Sequence, residues 1–392
     1  MNKSFASRLI HLGEKNPESV SNTKSLPISM SSVFVFDDVE TLDRVYDGEA
    51  KGYIYTRNGN PVHDALAEIM FNIEEGEDAL VYSSGMAAIT LSIISQVKTG
   101  DHIIAANVLY GGSFQFIKTE LARFNIEVSF VDPINEDINP YFKPNTKVVY
   151  LETISNPLME VVNLAKIAEI SHQHGAKLIV DNTFATPVIC QPLLLGADIV
   201  AYSATKYLCG HSDVTAGIIV ANKETIKQIY PTGLLYGPTM SPFDAWLVVR
   251  SLRTLELRII QHSNNALKLA QYLESNQKIS NVYYPGLPSS PTSDVAKRMF
   301  NNNLFGGMLS IDLIGGEKAA YDLIRNLESI KFVPSLAGVS TSVSYPAKTS
   351  HRSLNEEELR KANISKGLIR ISTGLENVDD IIAEFSKALE KI

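Results

Sequence analysis

The segment KLIVDNTFATPVICQPLLLGADIVAYSATKYLCGHSDVTAGIIVAN, residues 177–222, contains three short apolar runs, and three further runs of the same kind precede it. The six are KLIVDN from Lys177, DIVAYS from Asp198, GIIVAN from Gly217, HIIAAN from His102, EVSFVD from Glu127 and KVVYLE from Lys147. Apolar, β-branched runs separated by helix-length segments are typical of parallel strands covered on both faces. The pattern therefore predicts an α/β domain with a mostly parallel sheet.

The regions on either side of this sheet have different patterns. A long helical pattern from Ser241 to Ser275, either two helices or one long connector, marks the passage to a second domain. Beyond it, strands at FGGMLSIDL and GLIRIST and helices at residues 318–326 and 378–389 predict a smaller α+β domain. The first sixty residues show few helical periods and no core of their own. We therefore predict an extended N-terminal arm (1–60), an α/β domain (61–255) and a C-terminal α+β domain (256–392).

Composition narrows the possible partners. The chain has 392 residues, a net charge of -8 and no long run of basic residues, so neither nucleic acid nor an anionic membrane is expected. The opening MNKSFASRLIHLGEKN lacks the apolar stretch of a secretory signal, and no segment reaches the roughly 20 apolar residues of a membrane span. These features favour the cytoplasm. Cys190 and Cys209 lack metal-ligand spacing, so two buried thiols are expected and no metal site.

Lys206 follows a predicted strand in AYSATKYLCGHSDVTAGIIV, residues 201–220. A single lysine is most often a surface residue. Lysine is also the side chain that forms Schiff bases with carbonyl cofactors, and the hydroxyls of Ser203 and Thr205 could bind a phosphate. These neighbours favour a catalytic lysine.

Asp181 ends the run LIVD, 25 residues before the lysine. A carboxylate at the end of a buried strand needs a cationic partner, and a protonated pyridine nitrogen is one such partner. A carboxylate that caps the following turn is an equally good interpretation of this fragment alone.

Two further segments carry weaker signals. Ser83, Ser84 and Gly85 precede a helix whose free N–H groups could bind an anion, although such a start is usually only a cap. Tyr110 follows another strand end and precedes two glycines, so it could stack on a flat ring or lie in the core. Together, the four strand ends offer a phosphate site, an aromatic, a carboxylate and a lysine, the set that pyridoxal phosphate (PLP) requires.

Seven motifs resemble the Cys/Met-metabolism family of fold-type I PLP enzymes, which includes cystathionine γ-synthase, cystathionine γ-lyase, methionine γ-lyase and the O-acylhomoserine sulfhydrylases. They cover nearly the whole chain and begin at Tyr55 (YTRNGNP), Ser83 (SSGMAA), Leu109 (LYGGSF), Glu152 (ETISNPLMEV), Val180 (VDNTFATP), Ser203 (SATKYLCGHSDVTAG) and Leu368 (LIRISTGLEN). The resemblance implies a PLP-binding α/β domain and a tetramer built from two dimers.

The resemblance also implies a role for each site residue. Lys206 would carry the cofactor and Asp181 would pair with its ring nitrogen. Tyr110 would stack on the ring, and Arg370, with Ser335, would bind the substrate carboxylate. The remaining expected contacts are Asn156 near the cofactor's phenolic oxygen and a phosphate site made by Gly85, Met86, Ser203 and Thr205 with Tyr55 and Arg57 of a neighbouring subunit.

The same set of residues is compatible with more than one reaction. We rank γ-elimination by a carbon–sulfur lyase first and γ-replacement by a sulfhydrylase or synthase second. Ile54, Gln115 and Pro334 stand where related cystathionine lyases carry charges, which favours an uncharged substrate end such as that of methionine or homocysteine. Gly112, Gly233 and Leu234, however, depart from the methionine γ-lyase pattern.

Two other classes of function fit the sequence less well. An aminotransferase shares the Lys and Asp chemistry but not the surrounding motifs, and a non-enzymatic binding protein would have lost Lys206, Asp181 or Arg370.

Overall fold

The computed structural model describes residues 4–12, 23–352 and 354–392. A seven-stranded sheet in the order β1-β7-β6-β5-β4-β2-β3 occupies the first half, and a five-stranded sheet in the order β10-β11-β12-β9-β8 the second. The strands are β1 Asp78–Tyr82, β2 His102–Ala106, β3 Glu127–Val131, β4 Thr146–Glu152, β5 Lys177–Asp181, β6 Ile199–Ser203, β7 Gly217–Ala221, β8 Ile279–Tyr283, β9 Met308–Leu313, β10 Lys331–Phe332, β11 Ser342–Ser344 and β12 Leu368–Ser372.

Helices cover both sheets. They are α1 Phe5–His11, α2 Val39–Tyr46, α3 Pro61–Glu74, α4 Gly85–Ile94, α5 Gly111–Gln115, α6 Leu121–Arg123, α7 Leu164–Gln173, α8 Thr186–Ile189, α9 Lys223–Tyr236, α10 Pro242–Leu252, α11 Leu255–Glu274, α12 Ser293–Met299, α13 Gly316–Asn326, α14 Glu356–Lys361 and α15 Val378–Glu390. A π-helical segment, Phe116–Glu120, joins α5 to α6. The long pattern from Ser241 is therefore two helices, α10 and α11.

All six predicted runs form strands of the large sheet, and the α/β fold with a mostly parallel sheet is confirmed. The prediction of a parallel strand was wrong for Gly217–Ala221, because β7 pairs antiparallel with both β6 and β1. This strand is buried throughout, and an apolar run reports burial on both faces rather than strand direction. Since β1 and β6 both run opposite to β7, the carboxyl ends of β1, β2, β5 and β6 lie along one edge.

The N-terminal region contains two short helices. α1 packs against α3 of the same chain, with Leu9 buried and Arg8 Nη1 2.7 Å from Glu75 Oε1. Residues 23–60 are mostly irregular apart from α2. The domain boundaries after residues 60 and 255 stay predictions. No helix in the described part of the chain has both the length and the apolar composition to cross a bilayer.

Candidate active site

One cavity of about 510 Å³ opens at the edge where these strands end. Ten of the twelve predicted site residues line it: Gly85, Met86, Tyr110, Asn156, Asp181, Ser203, Thr205, Lys206, Ser335 and Arg370. The seven-stranded sheet and its loops contribute eight of them, and the C-terminal part of the chain contributes Ser335 and Arg370. The cavity therefore lies between the two sheets, at the sheet edge where α/β proteins bind ligands.

Lys206 lies in the turn after β6 and is largely buried. Its Nζ donates a hydrogen bond to Ser335 Oγ at 3.1 Å. Burial, followed by the nearby positive charge of Arg370, lowers the pKa of Lys206 to about 8. A surface lysine would have neither feature, so Lys206 is not an ordinary surface lysine. At neutral pH most of this amine is still protonated, but the unprotonated, reactive fraction is larger than in an ordinary lysine.

Asp181 is the last residue of β5 and is only 7% exposed. Its Oδ1 accepts the backbone N–H of Thr183 at 2.9 Å and also the Thr183 hydroxyl. Burial raises the pKa of Asp181 to about 6 despite these bonds. Asp181 forms no ion pair in the described part of the chain. Its bonds to Thr183 support the turn-cap role, and its position in the cavity lining leaves the predicted cation-binding role open.

The start of α4 has the geometry expected of the predicted anion site. The Ser84 side chain caps the helix by accepting the N–H of Ala87 at 3.2 Å, so the first backbone N–H groups of the helix lie at the cavity. A Cβ on Gly85 would lie 2.5 Å from the Cβ of Ser203, so only glycine allows the helix start and the end of β6 to meet. The Thr205 hydroxyl, predicted to bind phosphate, also donates to the Ala216 carbonyl at 3.3 Å.

Tyr110 is 42% exposed and lines the cavity, so it is not a core tyrosine. A Cβ on Gly112 would lie 2.6 Å from Tyr110 Cε1 and 3.2 Å from Met86 Sδ, which shows that the ring packs over this glycine. A Cβ on Gly111 would lie 1.8 Å from the carbonyl oxygen of Ser350. Both glycines of the YGG motif are thus required by close approach.

Arg370, on β12, is 3% exposed and donates from Nη1 to Asn156 Oδ1 at 2.8 Å. Burial lowers its pKa to about 10, and it stays a cation at neutral pH. A buried guanidinium at a cavity wall has further donors for a carboxylate. This arrangement fits the predicted clamp on the substrate carboxylate.

Tyr55 and Arg57 are not brought into this cavity by their own chain. The Arg57 guanidinium lies 5.3 Å from the Tyr55 ring centre, and Arg57 lines a separate cavity with Gly233 and Leu234. Their predicted role in a neighbouring subunit stays a prediction.

Sequence reasoning missed several residues that line the cavity. Glu152 ends β4 directly beside Asp181, and the rule that singled out Asp181, a carboxylate at the end of an apolar run, also applies to it. Thr183 is apparent only once its bonds to Asp181 are known. Lys348, at the end of a one-turn 3₁₀ helix, and Arg352, four residues beyond it, also line the cavity, and this segment carries no periodic signal.

The residues fit PLP on three grounds: a buried amine of lowered pKa, a buried carboxylate with no cationic partner among the described residues, and an open helix start that only glycine permits. A family model described as "Cys/Met metabolism PLP-dependent enzyme" matches residues 6–390. The chain belongs to this family. It is a PLP-dependent carbon–sulfur lyase.

Individual relatives cover the full chain. An L-methionine γ-lyase of Porphyromonas gingivalis is 43% identical over 100% of this chain and 98% of its own. The structure resembles a cystathionine γ-lyase from Lactobacillus plantarum in complex with L-serine (TM-score 0.92, 33% identity, 100% and 99% of the two chains). It also resembles an O-acetylhomoserine (thiol)-lyase described as putative from Campylobacter jejuni (TM-score 0.94, 28% identity, 99% and 100%), which carries a pyridoxyl-lysine phosphate.

Proposed function

We propose that this enzyme catalyses γ-elimination on methionine or homocysteine, consuming water and releasing a thiol, 2-oxobutanoate and ammonia. The observation that carries the proposal is that an amine of lowered pKa, Lys206, an accessible phenol, Tyr110, and a buried guanidinium, Arg370, line a single cavity. These are a base, an acid and a carboxylate anchor. The identity to an L-methionine γ-lyase supports the same substrate.

Each residue then has a defined task. Arg370 binds the substrate carboxylate and fixes the amino acid over the sheet edge. The Lys206 amine, buried and of lowered pKa, removes the proton at the α-carbon and then one at the β-carbon. Tyr110 donates a proton to the sulfur that leaves the γ-carbon. PLP, when bound at Lys206 and Asp181, withdraws electrons from the bonds of the substrate's α-carbon.

A second candidate function has its own observation. Lys348 and Arg352 line the cavity, and no side-chain partner of Arg352 is seen among the described residues. Cations at this position suit a substrate whose distal end carries a carboxylate, such as cystathionine, or an enzyme that replaces the γ-substituent. Pro334, in the same lining, favours the uncharged end.

We also propose a cytoplasmic tetramer built from two dimers. Exposed apolar side chains support a subunit interface: Val35 on the arm is 94% exposed and Leu235 on α9 is 87% exposed. The two regions adjoin, since the Tyr230 hydroxyl donates to the Asn58 carbonyl at 2.8 Å. The predicted burial of Cys190 and Cys209 is confirmed, and both are free thiols, as suits a reducing compartment.

A product assay tests the proposed reaction and its alternative. The purified holoenzyme is given methionine, homocysteine, cystathionine, cysteine, or O-acetylhomoserine with sulfide, and thiol, 2-oxobutanoate, pyruvate and replacement products are quantified. We expect thiol and 2-oxobutanoate in equal amounts, fastest from methionine or homocysteine. Turnover confined to O-acetylhomoserine with sulfide, or amino transfer to an added keto acid without thiol release, would refute γ-elimination.

A further inference from the structure

A pair of buried carboxyl groups lies at the base of the cavity. Glu152 and Asp181 are paired residues of neighbouring parallel strands, each is 7% exposed, and both line the cavity. Side chains of paired residues in a parallel sheet project to the same side. Two carboxylates in one buried site repel each other, so one of them keeps a proton.

The hydrogen bonds together with the neighbouring charges indicate which group is neutral, since Glu152 also accepts the backbone N–H groups of Tyr110 and Asn156. Asp181 receives both the backbone N–H and the hydroxyl of Thr183, two donors that favour its anion. Burial and then the charge of Asp181 raise the pKa of Glu152 well above its usual range. Arg370 is the cation near Glu152, and its effect is smaller than either.

Glu152 also makes one contact that Asp181 lacks. Its Oε1 accepts the backbone N–H of Tyr110 at 2.6 Å, at the point where the strand-end loop turns into α5. Tyr110 has no side-chain cap of its own there, so this bond fixes the backbone that carries the phenol. The carbonyl oxygen of a neutral acid can still accept this bond, although less strongly than an anion does.

We propose that Glu152 is the proton-bearing member of the pair and a positioning residue for Tyr110, which it holds without placing a second negative charge beside Asp181. The kinetic part of this inference rests on the proposed role of Tyr110 in γ-elimination. The protonation part does not, because it concerns the resting enzyme without substrate.

Infrared difference spectra of the holoenzyme test the protonation state. We expect the carbonyl stretch of a neutral carboxylic acid in the spectrum of wild type minus Glu152→Gln and not in that of wild type minus Asp181→Asn. Glu74→Gln is the matched control for the position of the band. This buried acid also has a strongly raised pKa, so its difference spectrum should show the same acid band, although it lies outside the cavity. Only carboxylate bands in the Glu152 difference, or the acid band in the Asp181 difference instead, would overturn the assignment.

Kinetics on whichever substrate the wild type uses test the positioning role. We expect Glu152→Gln to keep kcat within about twofold and Glu152→Leu, which leaves the Tyr110 N–H unpaired, to lose about tenfold in kcat with a smaller change in KM. Thermal unfolding and bound PLP confirm that each variant is folded and loaded. Equal losses for Gln and Leu, or full kcat in a folded Leu variant, would overturn the role. The infrared test of the protonation state does not depend on this kinetic result, and it remains valid even if Tyr110 is not the acid.

Discussion

The base and the rim of the cavity are built in different ways. The base, comprising Glu152, Asp181, Ser203, Thr205 and Lys206, comes from the ends of neighbouring strands, where the register fixes the backbone. The rim, residues 334–352, belongs to connections around β10 and β11 in the C-terminal part. Polar groups of the base have partners inside the protein, whereas the rim presents the exposed cations Arg352 and Lys348, the latter 3.9 Å from Glu317.

This difference divides the chemistry from its specificity. Strand ends hold charged groups within fixed distances, as proton transfer requires. A rim made of connections can change its side chains without disturbing the sheet. We therefore expect substitutions that remove a contact of the base to change the rate of every reaction, unlike the contact-preserving Glu152→Gln, and substitutions in the rim to change the choice of substrate.

The largest effect is expected for Lys206→Ala. Without the amine, both the cofactor link and the base are lost, and turnover should fall by roughly 10³-fold or more. Product release and the yellow absorbance of the cofactor measure the two losses. Lys348→Ala, a lysine of the rim in the same cavity, is the control and should retain turnover; comparable losses in both variants would contradict the division between base and rim.

Arg370→Ala should mainly raise KM. Removing a buried guanidinium from a carboxylate costs about 2–4 kcal/mol, or roughly 30-fold to 1000-fold in KM. Steady-state kinetics measure this, with Arg370→Lys expected to recover only part of the loss because it cannot bind bidentately. An unchanged KM would remove the clamp assignment.

Asp181→Asn should stabilise the cofactor-free protein above pH 6 while impairing cofactor binding. Burial raises the pKa of Asp181 from 3.8 to about 6, so the folded state holds its proton more tightly than the unfolded state does. Stability from this group is complete below the unfolded value near pH 4 and is lost as the pH rises through about 6. Urea unfolding should show the variant ahead by up to about 3 kcal/mol at pH 8 and equal to wild type near pH 4.

Asp294→Asn is the control for this comparison, because Asp294 is exposed. The same pH-dependent gain in that variant, or none in Asp181→Asn, would contradict the assignment of a destabilising buried charge to Asp181.

Arg352→Ala should have the smallest effect. An exposed cation contributes at most about 1 kcal/mol, so the ratio of kcat/KM for cystathionine to that for methionine should fall up to about fivefold and depend on salt. Competition between the two substrates measures this ratio. An equal fall for both substrates would place Arg352 with the base instead of the rim.

The sequence predicted the residues of the base better than those of the rim. Apolar runs locate strands, and a polar residue at a strand end is visible in the chain, as with Asp181. The partnership of Glu152 with Asp181 depends on the pairing of β4 with β5, which a single sequence does not reveal. Strand direction was missed at β7 for the same reason: burial, and not orientation, shapes the run.

The rim was largely invisible to this approach. Lys348 and Arg352 lie at and just beyond the end of a one-turn 3₁₀ helix, and no periodic pattern indicates that this segment folds over the cavity. Of the positions considered for specificity, Pro334 lines the cavity of its own chain, whereas Ile54, Gln115 and Gly233 do not. Substrate choice depends on tertiary placement, which local patterns do not encode.

The contact at Gly111 joins these two regions. Its backbone passes so close to the Ser350 carbonyl that no side chain fits between them, and His351 Nε2 donates to the Leu109 carbonyl at 3.1 Å. The loop that presents Tyr110 and the segment that carries Lys348 and Arg352 are therefore tightly packed against each other. We therefore expect that replacing residues 346–352 with those of a relative of different substrate preference transfers that preference only if residues 109–112 are replaced as well. A change of substrate in this enzyme requires matched changes in both segments.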